Sequence, residues 1–340
     1  MINREIIRIK IVQLTYAYYQ NGNKNIDSAE KELFFSLSKA YDLYNYLLAL
    51  IAAVTKEARR RYEVLSNRAD REGTERPSQK FVLNRFAIQL EENKELSDFI
   101  STQKRTWNDD QEFVGNLLEI IENSEIYQEY MASNEDNYDA DRELWRKLYK
   151  TYIATNSDLD AVLEEISLYW NDDKEIVDTF VLKTIKRFNE QNGPKQELLP
   201  EWDSDEEQDY ARKLFRASIL NANEYQRFMS EASRNWDFSR LAYMDVIIMQ
   251  IAIAEMVTFP NIPVSVTINE YVDLAKLYST EKSGGYINGM LDGIARHLID
   301  TGRMTKFMEP RANKIKVPAA SPVKAEKTKG RKRIIRKDNE

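Results

Sequence analysis

Residues that break helices are scarce in this chain, and this scarcity constrains its fold more than any other feature. The 340 residues include only 10 glycines and 8 prolines, roughly 5% together, whereas average usage of the pair is about 12%. Tight turns between strands depend on glycine, asparagine and proline, so folds rich in β-structure are disfavoured. Since 42% of the residues are hydrophobic, the chain can bury a core. The composition therefore predicts an all-α protein.

Side chains for catalysis and metal binding are few. The chain has no cysteine and a single histidine, His297, which removes thiolate chemistry and most nucleophile–histidine pairs. His297 has no identifiable catalytic or metal-binding partner, and a helix C-terminus is a favourable place for a histidine. The acidic run 136–143 lacks the alternating ligands and turn glycine of a calcium loop. We expect no enzyme activity, no metal and no cofactor.

Charge and hydropathy indicate a cytoplasmic protein with a basic tail. The first ten residues place charges where the apolar part of a signal peptide would lie. The longest apolar run, residues 46–54, is too short to span a bilayer. Residues 311–340 contain 11 Lys or Arg against 3 Asp or Glu, a net charge of +8, so the other 310 residues sum to −15. Any RNA binding by the acidic body must therefore come from local patches.

Helical periodicity extends along most of the chain. It predicts one helix opened by the capping box Thr267–Glu270 and helices over 3–20, 28–67 (one helix or two), 79–92, 109–123, 139–155, 158–168, 173–191, 205–219, 223–234, 240–258 and 284–300. One glycine and two prolines interrupt the pattern within 192–204. We predict an N-terminal helical region (1–192), a C-terminal helical domain (204–301) and a disordered basic tail (310–340).

Two local patterns allow both a structural and a functional interpretation. Gly285, Gly289 and Gly293 form a stripe that predicts close packing of another helix. Arg4 and Arg8, with Lys10 nearby, either bind phosphate groups at the end of a helix or are ordinary solvated charges. For the second basic run, 59–61 with Arg68 and Arg71, the solvated interpretation is favoured.

Three C-terminal segments carry a family resemblance. Residues 241–255 form an apolar helix, Ile-Asn-Glu at 268–270 precedes Leu-Ala-Lys at 274–276, and Tyr-Ile-Asn-Gly-Met-Leu-Asp occupies 286–292. This combination resembles the C-terminal half of the NusB family of transcription antitermination factors. The resemblance covers about residues 205–300, with weaker support at 7–18. About 100 residues within 80–190 match no part of the family pattern and resemble an insertion, as in the long NusB proteins of Bacteroidetes.

The resemblance implies two small helical bundles, no catalysis, and binding to boxA-type single-stranded leader RNA with the ribosomal protein NusE, in an antitermination complex with RNA polymerase. Cations would contact phosphates and tyrosine rings would stack on bases. Carried to this sequence, the RNA-binding residues are Arg4, Arg8, Lys10, Tyr16, Lys282 and Tyr286. Glu5 and Ile6 stand where further arginines are common in the family.

Two alternatives remain open at this point. One is a helical scaffold that binds proteins but no RNA. The other is an RNA methyltransferase with a NusB-like domain, which requires a methyl-donor domain with a glycine-rich turn. Only about 40 residues follow position 300, and most of them belong to the basic tail, which disfavours the methyltransferase.

Overall fold

Helices account for nearly all the regular structure of the chain. The computed structural model describes residues 1–22, 25–232, 242–280 and 282–308. Within these ranges no strand occurs, and a single parallel bridge joins Ile2 to Trp202. The prediction of an all-α protein is confirmed.

The α-helices are α1 (Arg4–Gln20), α2 (Ile26–Glu72), α3 (Arg85–Glu91), α4 (Lys94–Thr102), α5 (Gln111–Glu122), α6 (Glu125–Ala132), α7 (Tyr138–Leu148), α8 (Ser157–Ile166), α9 (Lys174–Arg187), α10 (Asp205–Leu220), α11 (Ala222–Ala232), α12 (Tyr243–Thr258), α13 (Val264–Tyr278) and α14 (Ser283–Asp300).

The long helix α2 organises the N-terminal region. The Asn25 side chain caps its start by accepting hydrogen bonds from the backbone amides of Asp27 and Ser28. The helix ends at Gly73, whose φ of 67° is left-handed and suits glycine. The periodicity over 28–67 was compatible with either one helix or two, and the structure has one. The helical pattern predicted to end at position 67 continues to Glu72.

Seven helices, α3 to α9, follow α2, and five of them were predicted. The two that were missed, α4 and α6, have 9 and 8 residues and bury one residue each, Leu96 and Tyr130. Both helices begin with an N-cap. The Asn93 side chain accepts a hydrogen bond from the Leu96 amide, and the Ser124 side chain accepts one from the Tyr127 amide. A π-helical turn (Tyr149–Ile153) continues α7, and short 3₁₀ turns occur at Leu168–Trp170 and Glu190–Lys195.

The C-terminal helices surround α12, which is buried along most of its length. Helices α10, α13 and α14 pack on it, and α1 packs against α2, α10 and α12. Residues Met1–Phe307 accordingly form one compact unit. The division into an N-terminal helical region (1–192) and a C-terminal helical domain (204–301) stays a prediction. Leu241 and the predicted tail (310–340) lie outside the described residues.

The predicted start of α13 at the capping box is wrong. The helix begins at Val264, directly after Pro263, because proline restricts the chain just before a helix and needs no amide partner there. Thr267 is therefore inside the helix. Its hydroxyl donates to Glu255 Oε1 at 2.7 Å, so this threonine forms a buried hydrogen bond and is not an N-cap.

The glycine stripe of α14 is open rather than packed within the part of the chain that the structure describes. No described heavy atom lies within 4 Å of a Cβ built on Gly285, Gly289 or Gly293. The close helix approach occurs one residue earlier, at Gly284, where a Cβ would be 3.5 Å from the Val272 side chain of α13. The spacing predicted a close contact on this helix but placed it on the wrong face.

Candidate nucleic-acid interface

Helix α1 carries most of the candidate RNA contacts, yet it is largely buried. The Asn3 side chain caps it by accepting from the Ile6 amide at 3.1 Å. Packing on three helices leaves only Glu5, Tyr16 and Gln20 of α1 exposed. Its cations therefore face protein groups more than solvent.

Arg8 lies in the interior, with 4% of its surface exposed. Its Nε donates to Glu255 Oε2 at 2.8 Å and its Nη2 to Oε1 at 3.1 Å, while Nη1 donates to Glu270 Oε2 at 3.1 Å. This bidentate arrangement is the strongest geometry available to an arginine and a carboxylate. A phosphate could reach Arg8 only if these bonds broke, so Arg8 is not part of the surface.

Glu255, with no exposed surface, is the centre of this network. Besides Arg8, the hydroxyls of Tyr210, Thr267 and Tyr271 donate to its carboxylate. Burial alone would raise the pKa of Glu255, but the Arg8 guanidinium and the hydroxyls of Tyr210 and Thr267 lower it below its usual value. The charged network thus connects α1, α10, α12 and α13 through one side chain.

Lys10 is also buried, with 2% exposure, and connects α1 to the insertion. Its Nζ lies 2.7 Å from Asp173 Oδ2 and donates to the Tyr169 carbonyl at 3.0 Å. Burial raises the pKa of Asp173 to about 6, although Lys10 acts in the opposite direction. One turn later Gln13 donates to Asp172 and to the Tyr278 hydroxyl, both at 2.9 Å. Lys10 therefore fastens the insertion to α1 and is not part of the surface.

Arg4 is the one cation of α1 that reaches solvent, with a side chain 41% exposed. Its Nε lies 3.3 Å from Glu207 Oε1, and its guanidinium is 5.0 Å from the centre of the Tyr210 ring. Exposed pairs of this kind contribute little and exchange readily. Arg4 is available to an anion that competes with Glu207.

The exposed aromatic residues lie at the other end of α1. Tyr16 is 38% exposed, and its ring meets that of Tyr243 edge to face, with centroids 5.9 Å apart. Tyr243, the first residue of α12, is 46% exposed. The sequence reasoning missed Tyr243; its signal was an aromatic residue at the start of an otherwise apolar helix.

The start of α14 lies against the same end of α12. Ser283 donates to Asp245 Oδ2 at 3.0 Å, which holds the two helix ends together. Tyr286, one turn along α14, is partly buried, and burial together with the nearby Asp245 raises its pKa. Lys282 is exposed, and no described carboxylate pairs with it. The structure thus brings Tyr16, Tyr243, Lys282 and Tyr286 to one end of α12, which we call the aromatic end.

The second basic run is largely paired with carboxylates. Arg59 pairs with Glu91, both Arg60 and Arg61 pair with Glu57, and Arg68 pairs with Glu72 at 2.8 Å. Arg60 and Arg68 are exposed, whereas Arg59 and Arg61 are half-buried, and Arg61 also donates to the Gly115 carbonyl of α5 at 2.9 Å.

The remaining candidates have simple surroundings. His297 is half exposed, with Nε2 3.9 Å from Glu231. Among the described residues, no group of three or more acidic or histidine side chains is arranged to hold a metal ion. No helix within the described ranges is long and apolar enough to cross a membrane.

Comparison with known proteins identifies the C-terminal part of the chain. A family model described as the NusB family matches residues 177–296. Thus the match begins within α9, in the last part of the predicted insertion, and ends within α14. No solved structure matches the chain.

Curated relatives carry the same description, "Transcription antitermination protein NusB". The protein from Salinibacter ruber is 30% identical over 132 residues, 37% of this chain and 82% of the relative. The protein from Geotalea daltonii is 33% identical over 135 residues, 39% of this chain and 90% of the relative. A third, from Natranaerobius thermophilus, is 44% identical over 89 residues, 26% of this chain and 64% of the relative.

Proposed function

We propose, from the premise that this chain belongs to the NusB family of transcription antitermination proteins, that it binds boxA-type leader RNA together with ribosomal protein NusE. The two partners occupy adjacent surfaces, and each increases the affinity for the other through linkage. The protein contributes binding surfaces to an assembly with RNA polymerase and performs no chemical step.

The aromatic end is the observation that supports RNA binding. Tyr16 and Tyr243 present exposed rings in contact with each other, and Lys282 adds an exposed ammonium near Tyr286. Single-stranded RNA is bound by stacking of bases on aromatic rings, combined with cations at the phosphates. The proposed surface therefore consists of Tyr16, Tyr243, Lys282 and Tyr286, and Arg4 is a separate exposed cation at the opposite end of α1.

Each exposed tyrosine is expected to contribute stacking energy. Tyr16→Ala and Tyr243→Ala should each weaken binding of leader RNA by about 1–3 kcal/mol. Lys282→Gln should reduce the slope of log affinity against log salt concentration by about 0.7, the value for one phosphate contact on a single strand. Fluorescence anisotropy with labelled RNA at several salt concentrations measures both quantities.

Tyr62→Ala is the matched control, since Tyr62 is partly exposed on the C-terminal half of α2. It should leave RNA affinity unchanged, and circular dichroism should show the same helix content in all variants. Unaltered affinity in both the Tyr16 and the Tyr243 variants would contradict the proposed surface.

The basic tail is expected to add attraction without sequence preference. Its net charge of +8 acts on any RNA, whereas contacts to bases determine preference. Deletion of 311–340 should weaken binding to leader RNA and to a scrambled RNA by the same factor, and the effect should shrink as salt rises. If the truncated protein lost its preference for leader RNA while its affinity for the scrambled RNA stayed unchanged, the tail would be shown to recognise the RNA sequence.

Copurification tests the class of function. Affinity purification of the full chain from its own cells should recover NusE and leader RNA together, and nuclease treatment should lower the recovery of NusE because the two bind cooperatively. Recovery of other proteins without RNA would favour the scaffold alternative.

A further inference from the structure

Helices α5 and α8 of the insertion border a groove that the proposed RNA surface does not use. The groove has a volume of about 350 Å³, and its lining includes Phe113, Ile120 and Val162. Both helices precede residue 177, where the match to the NusB family begins. The groove therefore lies outside the part of the chain that the family model covers. We call it the α5–α8 groove.

Helix α5 presents apolar surface to this groove. One apolar stripe of α5, which includes Val114 and Leu118, is buried in the insertion. A second stripe consists of Phe113, Leu117 and Ile120, at the i, i+4, i+7 spacing of one helix face, and these three residues line the groove. Ile120 keeps 43% of its surface exposed. Apolar side chains of a partner would remove this surface from water, which favours binding.

The walls of the groove are acidic. Together α5 and α8 contain seven Asp or Glu and no Lys or Arg. Three of these carboxylates pair with cations of other elements, namely Glu122, Asp160 and Glu165. No described lysine or arginine forms an ion pair with the other four, Glu112, Glu119, Asp158 and Glu164. Two of the four, Glu112 and Asp158, lie in the groove lining, one on each helix.

Helix dipoles explain only part of this charge. Glu112 and Asp158 lie in the first turns of their helices, where a carboxylate is favourable. Glu119 and Glu164 lie beyond the first turn, where the dipole gives no such advantage. The excess of carboxylates therefore extends along both walls, and it selects for a positively charged occupant.

We propose that the α5–α8 groove binds an amphipathic helix of a partner protein, with an apolar face that covers Phe113, Ile120 and Val162 and with flanking lysine or arginine side chains at Glu112 and Asp158. Recognition of a helix in a groove combines apolar anchors with complementary charges at the margin. The acidic walls repel the phosphates of a nucleic acid, and a second copy of this chain would bring a groove of the same charge. None of the groove residues belongs to the aromatic end, so this inference does not rest on the proposed RNA function.

A synthetic peptide tests the surface with the full chain. The probe is a labelled amphipathic helix of about 20 residues, with leucines along one face and lysines beside them. Its binding, followed by fluorescence anisotropy, should be saturable and should weaken as salt rises. One control peptide has the same composition in an order that lacks the apolar stripe, and a second has glutamate in place of each lysine. Neither control peptide should bind as tightly.

Variants of exposed residues locate the binding site. Ile120→Gln should weaken binding of the probe about fivefold, because less apolar surface is buried. The double variant Glu112→Gln with Asp158→Asn should weaken it by a similar factor, the effect of two exposed ion pairs, and should reduce its salt dependence. The matched controls Leu220→Gln and Glu206→Gln, both at exposed positions of α10, should bind as wild type does. Circular dichroism should show the same helix content in all variants.

Tighter binding of the amphipathic basic peptide than of either control peptide, weakened by both groove variants and by neither matched control, supports the proposal. Equal binding of the reordered peptide would mean that charge alone attracts it, and equal binding of the glutamate peptide would mean that the walls do not select. Either result overturns the proposal, as does absence of binding or binding that the groove variants leave unchanged. Self-association that the groove variants abolish would assign the groove to a second copy and overturn it too. Tyr16→Ala should bind the peptide as wild type does, which separates this test from that of RNA binding.

Discussion

Replacing Glu255 with glutamine is expected to lower the free energy of unfolding by about 3–5 kcal/mol, the usual cost of breaking a buried ion pair. The substitution keeps the shape of the side chain but leaves the buried Arg8 guanidinium without its bidentate partner. Hydroxyls of Tyr210, Thr267 and Tyr271 lose their charged acceptor at the same time. Urea unfolding followed by circular dichroism measures the difference.

The matched control is Glu207→Gln, which breaks the more exposed pair with Arg4 and should cost no more than about 1 kcal/mol. A similar loss in the two variants would mean that the Glu255 network has no special role. Because the pKa of Glu255 is lowered, its contribution is present above its usual pKa and is lost as the pH falls through the lowered value. The Glu255 variant should therefore differ least from wild type in acid.

The Asp173 carboxyl should give the opposite pH dependence. Its pKa in the folded chain is about 6, compared with an ordinary value of 3.8. Between these values the folded chain holds a proton that the unfolded chain has released, so stability is greatest below the ordinary pKa and falls as the pH rises through the folded one. At 1.36 kcal/mol per unit, the total loss is about 3 kcal/mol.

The test compares wild type with Asp173→Asn, which cannot titrate. Between pH 4.5 and 7.5, wild type should lose about 2 kcal/mol of unfolding free energy relative to the variant. Asp172→Asn, at the neighbouring exposed position, controls for the change in charge. A constant difference between wild type and Asp173→Asn across this range would contradict the raised pKa.

Much of the fold follows from local patterns, and the deviations have local causes. The scarcity of glycine and proline predicted helices throughout the chain. The predicted ends of α12 and α14 lie within three residues of the observed ones. The errors occur where short-range signals compete. At α13, Pro263 begins the helix before the capping box, and the Thr267 hydroxyl serves Glu255 instead.

The candidate interface was less predictable, because burial of a charge depends on partners far away in the sequence. Arg8 and Glu255 are 247 positions apart, and Lys10 and the Tyr169 carbonyl are 159 apart. No spacing within α1 distinguishes these cations from solvated ones. Tyr16, by contrast, keeps 38% of its surface exposed although its ring contacts Tyr243 of α12. The part played by Tyr243 became visible only in the structure.

The distant partners of α1 also determine when it can fold during synthesis. Helix α1 is synthesised before α12, and the carboxylate that neutralises Arg8 follows 247 positions later. At about 5–20 residues per second, α1 waits roughly 10–50 s for that partner. During this interval its isoleucines and buried cations lack their native surroundings, so α1 is completed only after a helix that is synthesised much later.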